Sequence, residues 1–181
     1  VSVVYGIDVP DAPSKDIYCS DFANVLNSDT EEEILRLGRK LDDYNGAQIV
    51  VVTLDYLDGN DIEDYAYALF NKWGIGDADS DNGMLLLISV GDEAYWVTFG
   101  KGVDDAVSTE QLSDILYDDF EPLFDEGDYD GAVAAVYPQM VDLLRDAFGR
   151  VEDNGSSVIY GGNGHYDDAY YFDSGYSARV V

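Results

Sequence analysis

Apolar positions recur every three or four residues through Ile34, Leu37 and Leu41, and then give way to the unbroken run from Gln48 to Leu54. The first spacing lines one face of a helix, and the second, rich in β-branched residues, suits a strand covered on both faces. Ser28-Asp29-Thr30-Glu31 has capping-box spacing and predicts the start of that helix, with Asn45-Gly46 as its stop. The alternation then repeats. Asn60-Asp61-Ile62-Glu63 carries a second capping signal ahead of the stripe Ile62, Tyr65, Ala66, Leu69, Phe70 and Trp73, whose aromatics read as core, and the strand Met84 to Val90 follows. Strand, helix, strand in that order implies a parallel pair with a right-handed crossover. Gly91-Asp92-Glu93 predicts a turn into Tyr95 to Phe99 as an antiparallel neighbour. A third helix starts at Ser108, uses Leu112, Ile115, Leu116 and Phe120, and is limited by Pro122. A fourth, from about Asp128 to Phe148, buries Val133, Val136, Met140, Leu143 and Leu144 and stops at Gly149. The fold class these elements predict is α/β: a three-layer α/β/α sandwich with a mixed, mostly parallel central sheet.

Three stretches differ in character. Residues 1–15 contain Pro10 and Pro13 with little periodicity and read as a leader or linker; residues 16–150 hold the domain; residues 151–181 form a tail rich in glycine, tyrosine and aspartate. The tail's tyrosines could pair onto a neighbouring molecule's sheet edge, and its His165 reads as an incidental surface residue. A chain of 181 residues is long enough to bury a normal core in one domain. No apolar run approaches a membrane span, and the absence of an initiator methionine or signal peptide suggests an excised or processed piece.

Charge narrows the partners. With 38 acidic and nine basic residues and a formal net charge of -29, the chain lacks the lysines and arginines that neutralise phosphates, which disfavours nucleic acid and anionic membranes. Divalent cations and basic protein surfaces are favoured instead. Cys19 has no partner for a disulfide or zinc site and no arginine nearby of the kind a cysteine-dependent phosphatase uses, so it reads as a small buried residue.

The loop from Trp73 to Gly83 carries alternate aspartates, Asp77, Asp79 and Asp81, among glycines. Carboxylates so close repel one another unless a cation or hydrogen-bond donors hold them, although water alone can also solvate them. Ca2+ or Mg2+ takes oxygen ligands of this kind, but Asn82 stands where an EF-hand needs glycine and Ile88 where it needs glutamate. The segment Gly100 to Asp105 should lie at the same sheet edge as the entry to the strand at Met84. Asp21 could converge there, and one of Asp118 and Asp119 should face inward, since neighbours on a helix differ by about 100 degrees. The candidate metal set is Asp21, Asp79, Asp81 and Asp118, with Asp104 or Asp105 in reserve. Phosphate chemistry has less to draw on: there is no phosphate-binding glycine loop and no aspartyl-phosphate motif, so a bound metal would have to activate water, aided by Lys101.

Three phrases carry a family resemblance: Asp21-Phe22-Ala23-Asn24-Val25-Leu26, Gly46-Ala47-Gln48-Ile49-Val50-Val51-Val52-Thr53, and Trp73-Gly74-Ile75-Gly76 leading to Asp81-Asn82-Gly83-Met84-Leu85-Leu86-Leu87-Ile88. With Gly127-Asp128-Tyr129-Asp130, they make residues 16 to 149 resemble a TPM domain, the type found in thylakoid-lumen, photosystem II repair and receptor-accessory proteins. The resemblance implies an α/β/α sandwich outside the cytoplasm, in bacteria often joined to a membrane helix and a glycine-rich tail. It also implies calcium or other divalent-cation binding, as in some relatives, and acid phosphatase activity, as attributed to plant members. The expected function is therefore an extracytoplasmic, secreted or cell-envelope, divalent-cation-binding domain acting in protein interaction or assembly. The alternative is a weak metal-assisted acid phosphatase.

Overall fold

A computed structural model describes residues 6–149 and the two-residue strand Tyr170–Tyr171. The strands are β1 (Cys19–Asp21), β2 (Gln48–Leu54), β3 (Gly83–Ser89), β4 (Ala94–Phe99) and β5 (Tyr170–Tyr171), lying side by side in that order. β1, β2 and β3 are parallel; β4 and β5 each run antiparallel to the strand before them. Every β3 residue is buried, as a strand covered on both faces requires.

Helices cover both faces. On one side α2 (Ile62–Trp73) lays Ile62, Tyr65, Ala66, Leu69, Phe70 and Trp73 on Val50, Val52, Leu85 and Leu87. On the other, α1 (Ser28–Asn45), α3 (Lys101–Ala106), α4 (Thr109–Ile115), α5 (Glu121–Asp125) and α6 (Tyr129–Phe148) close over Ile49, Val51, Met84, Leu86, Ile88 and Val97. The architecture is the three-layer α/β/α sandwich with a mixed sheet that the apolar pattern predicts. Tyr137, almost wholly buried in α6, donates its hydroxyl to the Ile49 carbonyl at 2.9 Å and so ties the helical layer to β2. Residues Val9 to Asp11 lie on the α2 side: Val9 is buried, Trp73 Nε1 donates to the Pro10 carbonyl at 2.8 Å, and Lys72 pairs with Asp11 at 2.9 Å.

Several local features depart from the sequence reading. Ser28 is not the cap of α1; Asn27 is, and it turns its amide to Asp130, 103 residues later, instead of to its own helix. The second cap is Asp61, which accepts from the Glu63 and Asp64 N–H groups. Pro122 does not stop the third helix. The coil widens into a π-helical turn, Leu116–Phe120, and continues as α5 with Pro122 in its first turn. The wider turn relieves the clash a proline ring makes with the carbonyl four residues back. β1 and α3 are additional elements, one of three residues and the other of six, both too short for periodicity to reveal.

Candidate functional site

The acidic residues proposed as metal ligands are distributed over two edges of the sheet and one helix surface. Asp21 ends β1 opposite Thr53, whereas the loop carrying Asp79 and Asp81 enters β3 at Gly83, opposite Gln48. Five residue steps along β2, from Gln48 to Thr53, separate these levels, about 16 Å along the strand. The strands at issue are parallel, so Asp21 lies at the carboxyl edge of the sheet and the Asp79–Asp81 loop at its amino edge. The convergence expected of Asp21 does not occur. Its carboxylate instead accepts from the Val25 and Leu26 N–H groups at 3.1 and 2.9 Å and from the Thr53 hydroxyl, holding the turn between β1 and α1.

Asp118 lies in the π-helical turn. It and Asp119 are both exposed, because Leu116 and Phe120 occupy the inward face there; the expectation that one carboxylate would point inward fails for that reason. Asp119 accepts from Gln139 Nε2 at 2.8 Å. Among the described residues, no group of three or more His, Cys, Asp or Glu side chains is placed to hold a metal ion. The four aspartates therefore do not make one composite site.

The amino edge does bring two acidic segments together. In the loop ahead of β3, Asp77 Oδ1 accepts from the Asp79 and Ser80 N–H groups at 3.1 and 3.0 Å, and Asp81 takes a left-handed backbone with φ 46°. The chain leaving β4 docks on this turn: Gly102 N–H donates to the Asp81 carbonyl at 3.0 Å, and Gly100 N–H to the Gly83 carbonyl at 2.9 Å. A side chain on Gly102 would overlap the Ser80 carbonyl, so only glycine permits this backbone-to-backbone approach. Exposed Asp79, Asp104 and Asp105 lie on the two stitched segments, with Lys101 Nζ 2.7 Å from Asp105. Buried Asn82 closes the turn, its Oδ1 accepting from Asp77 N–H and its Nδ2 reaching the Asn45 carbonyl.

Cys19 is partly buried, and burial, reinforced by the Glu31 and Asp21 carboxylates, pushes its thiol up to about 12. At neutral pH it stays protonated, which denies it the thiolate a nucleophile needs. His165 lies outside the described residues.

A second feature was not foreseen from the sequence: a groove along β4 lined by Tyr95, Trp96 and Val97 of the strand and by Ser113, Leu116, Tyr117 and Glu121. The Tyr95 hydroxyl donates to Glu121 at 2.7 Å across it, and Tyr117 is 56% exposed at its rim. Its walls come from a strand and from the π-helical turn, whose apposition no local pattern encodes.

Comparison with known proteins gives the architecture a wider setting. The solution NMR structure of the N-terminal domain of a protein from P. gingivalis is 23% identical, covering 73% of this chain and 84% of that one with a TM-score of 0.65. An NMR structure of a protein from the psychrophilic bacterium Bizionia argentinensis is 20% identical, covering 73% and 90%, with a TM-score of 0.61. The N-terminal domain of a Corynebacterium glutamicum protein is 16% identical, covering 87% and 97%, with a TM-score of 0.57. These likenesses are of fold. No curated protein matches the chain. The TPM domain profile matches residues 19–143, from the start of β1 into the last turns of α6. The matched span takes in the Asp21 turn, the stitched amino-edge loops and the core of both helical layers, and on that ground the chain belongs to the TPM domain family.

Proposed function

We propose that this TPM domain is a binding module of the extracytoplasmic space, secreted or at the cell envelope, in which a divalent cation, Ca2+ or Mg2+, orders the acidic amino edge for contact with a protein partner. The observation that carries the reading is the stitching of the Asp77–Asp81 turn to the segment from Gly100 to Asp105 by the Gly102 and Gly100 hydrogen bonds. Two segments rich in carboxylates are held against each other at a cost in repulsion that a cation offsets. Asp79 and Asp81, a pair of carboxylates and not a cluster of three, would supply the charged ligands, with loop carbonyl oxygens and retained waters completing the shell. Asp21 and Asp118 would not take part. The binding role is favoured over catalysis because the described residues offer a protonated Cys19, an Asp21 engaged as a turn cap, and a Lys101 paired with Asp105.

Calorimetric titration of chelated protein with calcium and then magnesium, at a salt concentration that screens diffuse charge, tests this. Saturable binding near one equivalent is expected. It should be lost in Asp79→Asn/Asp81→Asn and kept in Asp118→Asn. Binding that is only weak and vanishes with added salt would overturn the cation part of the reading.

A further inference from the structure

The segment Ile7-Asp8-Val9-Pro10-Asp11-Ala12-Pro13 belongs to no helix or strand, and none of its residues shares a backbone–backbone hydrogen bond with the described residues. It is nonetheless seated. Val9 is buried in the apolar cluster that α2 makes with its face of the sheet, Ile7 packs against the same cluster, and Asp8 and Asp11 are exposed. Its main chain is held by side chains from the last turn of α2: Lys72 Nζ donates to the Val9 carbonyl at 2.7 Å, and Trp73 Nε1 to the Pro10 carbonyl at 2.8 Å. The same Lys72 ammonium stands 2.9 Å from the Asp11 carboxylate.

A folded domain holds a separate peptide in this way. Pro10 and Pro13 keep the segment extended without internal hydrogen bonds, one apolar side chain fills a seat, and an indole N–H and an ammonium address consecutive carbonyls. Aromatic-lined grooves that take extended Pro-x-x-Pro segments work on these terms. The segment can therefore leave α2 without unpairing a strand or unwinding a helix. We propose that the last turn of α2 is a docking site for an extended hydrophobic–proline–acidic segment of a partner protein, and that residues 7–13 are its resident competitor, a tethered ligand that keeps the site closed. The proposal does not depend on a bound cation.

Each part of that pattern has its counterpart on α2. The apolar side chain enters the seat of Val9. Proline brings a carbonyl to Trp73 with no N–H of its own to leave unpaired against the helix. The acidic residue meets Lys72, one of nine basic residues in the chain, so an acidic segment is attracted here where most of the surface repels it. Asp11 is 94% exposed and its ion pair adds little, which leaves one well-buried side chain and two hydrogen bonds to hold the strap, few enough for local release. Tethering offsets this weakness, because a short linker gives an effective concentration on the order of millimolar.

Exchange of the Trp73 indole N–H, followed by NMR in the full chain with solution mass measured in parallel, tests this. The probe is the free peptide Gly-Ile-Asp-Val-Pro-Asp-Ala-Pro, the sequence of residues 6–13. In the wild type the indole N–H should be protected and indifferent to the peptide. In Val9→Asp, which places a charge in the apolar seat, it should exchange about tenfold faster while the β3 amides stay protected. Millimolar peptide should then restore protection saturably, and a peptide carrying the same Val9→Asp change should not. Asp11→Lys, made on an exposed side chain outside the core, sets repulsion against Lys72 and should speed exchange severalfold with the same rescue. Failure of the peptide to protect Trp73 in these two variants would overturn the proposal. So would loss of β3 protection in step with Trp73 in both, since the strap would then be part of the cooperative core. Protection regained without peptide in a species of twice the chain mass would also overturn it, by assigning the site to the strap of a second copy.

Discussion

Asp130 binds the start of one helix to the start of another. Its Oδ1 accepts from the Asn27 backbone N–H at 2.7 Å and its Oδ2 from the Asn27 side-chain amide at 2.6 Å. Partial burial by itself would raise the carboxyl pKa, but hydrogen bonds from Asn27 and Thr30 to the charged form outweigh it and hold Asp130 below the ordinary aspartate value. A folded-state pKa below the unfolded one means the contribution is fully present above the unfolded value, about 4, and is lost as pH falls through the lowered folded one. Asp130→Ala should therefore cost about 1 kcal/mol in urea denaturation at neutral pH, toward the lower end for bonds to a charged group because the pair is open to solvent. The gap to wild type should close below about pH 4. A gap that persisted unchanged into strong acid would show that lost packing, not the charged hydrogen bonds, causes the effect. Asp21 serves similarly at the turn after β1, and together the two account for carboxylates that charge counting alone would assign to solvent or to a metal.

At the scale of elements, the contact between the turn ahead of β3 and α3 depends on a missing side chain. Gly102→Ala should lower stability by about 1–3 kcal/mol, the usual range for overpacking, and should weaken exchange protection at the α3 amides. Gly6→Ala, with open space around the glycine, serves as the control and should change nothing. Equal stability of the two variants would mean that the loops do not pack as described. The same contact shows what the sequence could and could not disclose. Ile34, Leu41, Leu69 and Val136 announce their helices because a buried face repeats within each element, and Gly46, Asp61 and Ser108 mark ends because caps act over two to four residues. The Asn27 to Asp130 cap, the widening of the coil ahead of Pro122 and the level at which Asp21 meets β2 depend on partners distant along the chain. The candidate site was legible only in half: Asp79, Asp81 and the segment from Gly100 to Asp105 do share an edge, because the hairpin from β3 to β4 returns the chain to where β3 began. Asp21 could be excluded only once β1 was known to be a strand parallel to β2, and three residues are too few to say so.

For the whole molecule, the balance of 38 acidic against nine basic residues makes salt a structural variable. Arg36, Arg39, Lys72, Lys101 and Arg145 already stand in ion pairs with nearby carboxylates, leaving the excess of negative charge spread over the surface. Compacting that excess costs free energy that grows as screening weakens, while each exposed ion pair is worth only about 0–1 kcal/mol. Between about 0.01 M and 0.3 M sodium chloride the screening length falls from about 30 Å to well under 10 Å, so relief of repulsion should exceed the loss of the pairs and Tm should rise steadily. A falling Tm would mean that the ion pairs, not the net charge, govern stability. Diffuse screening and a specific cation site separate at the top of this range. Millimolar calcium added at about 0.3 M salt should still raise Tm if the amino-edge loops bind it, whereas a wholly diffuse effect is spent by then, and calcium would add nothing.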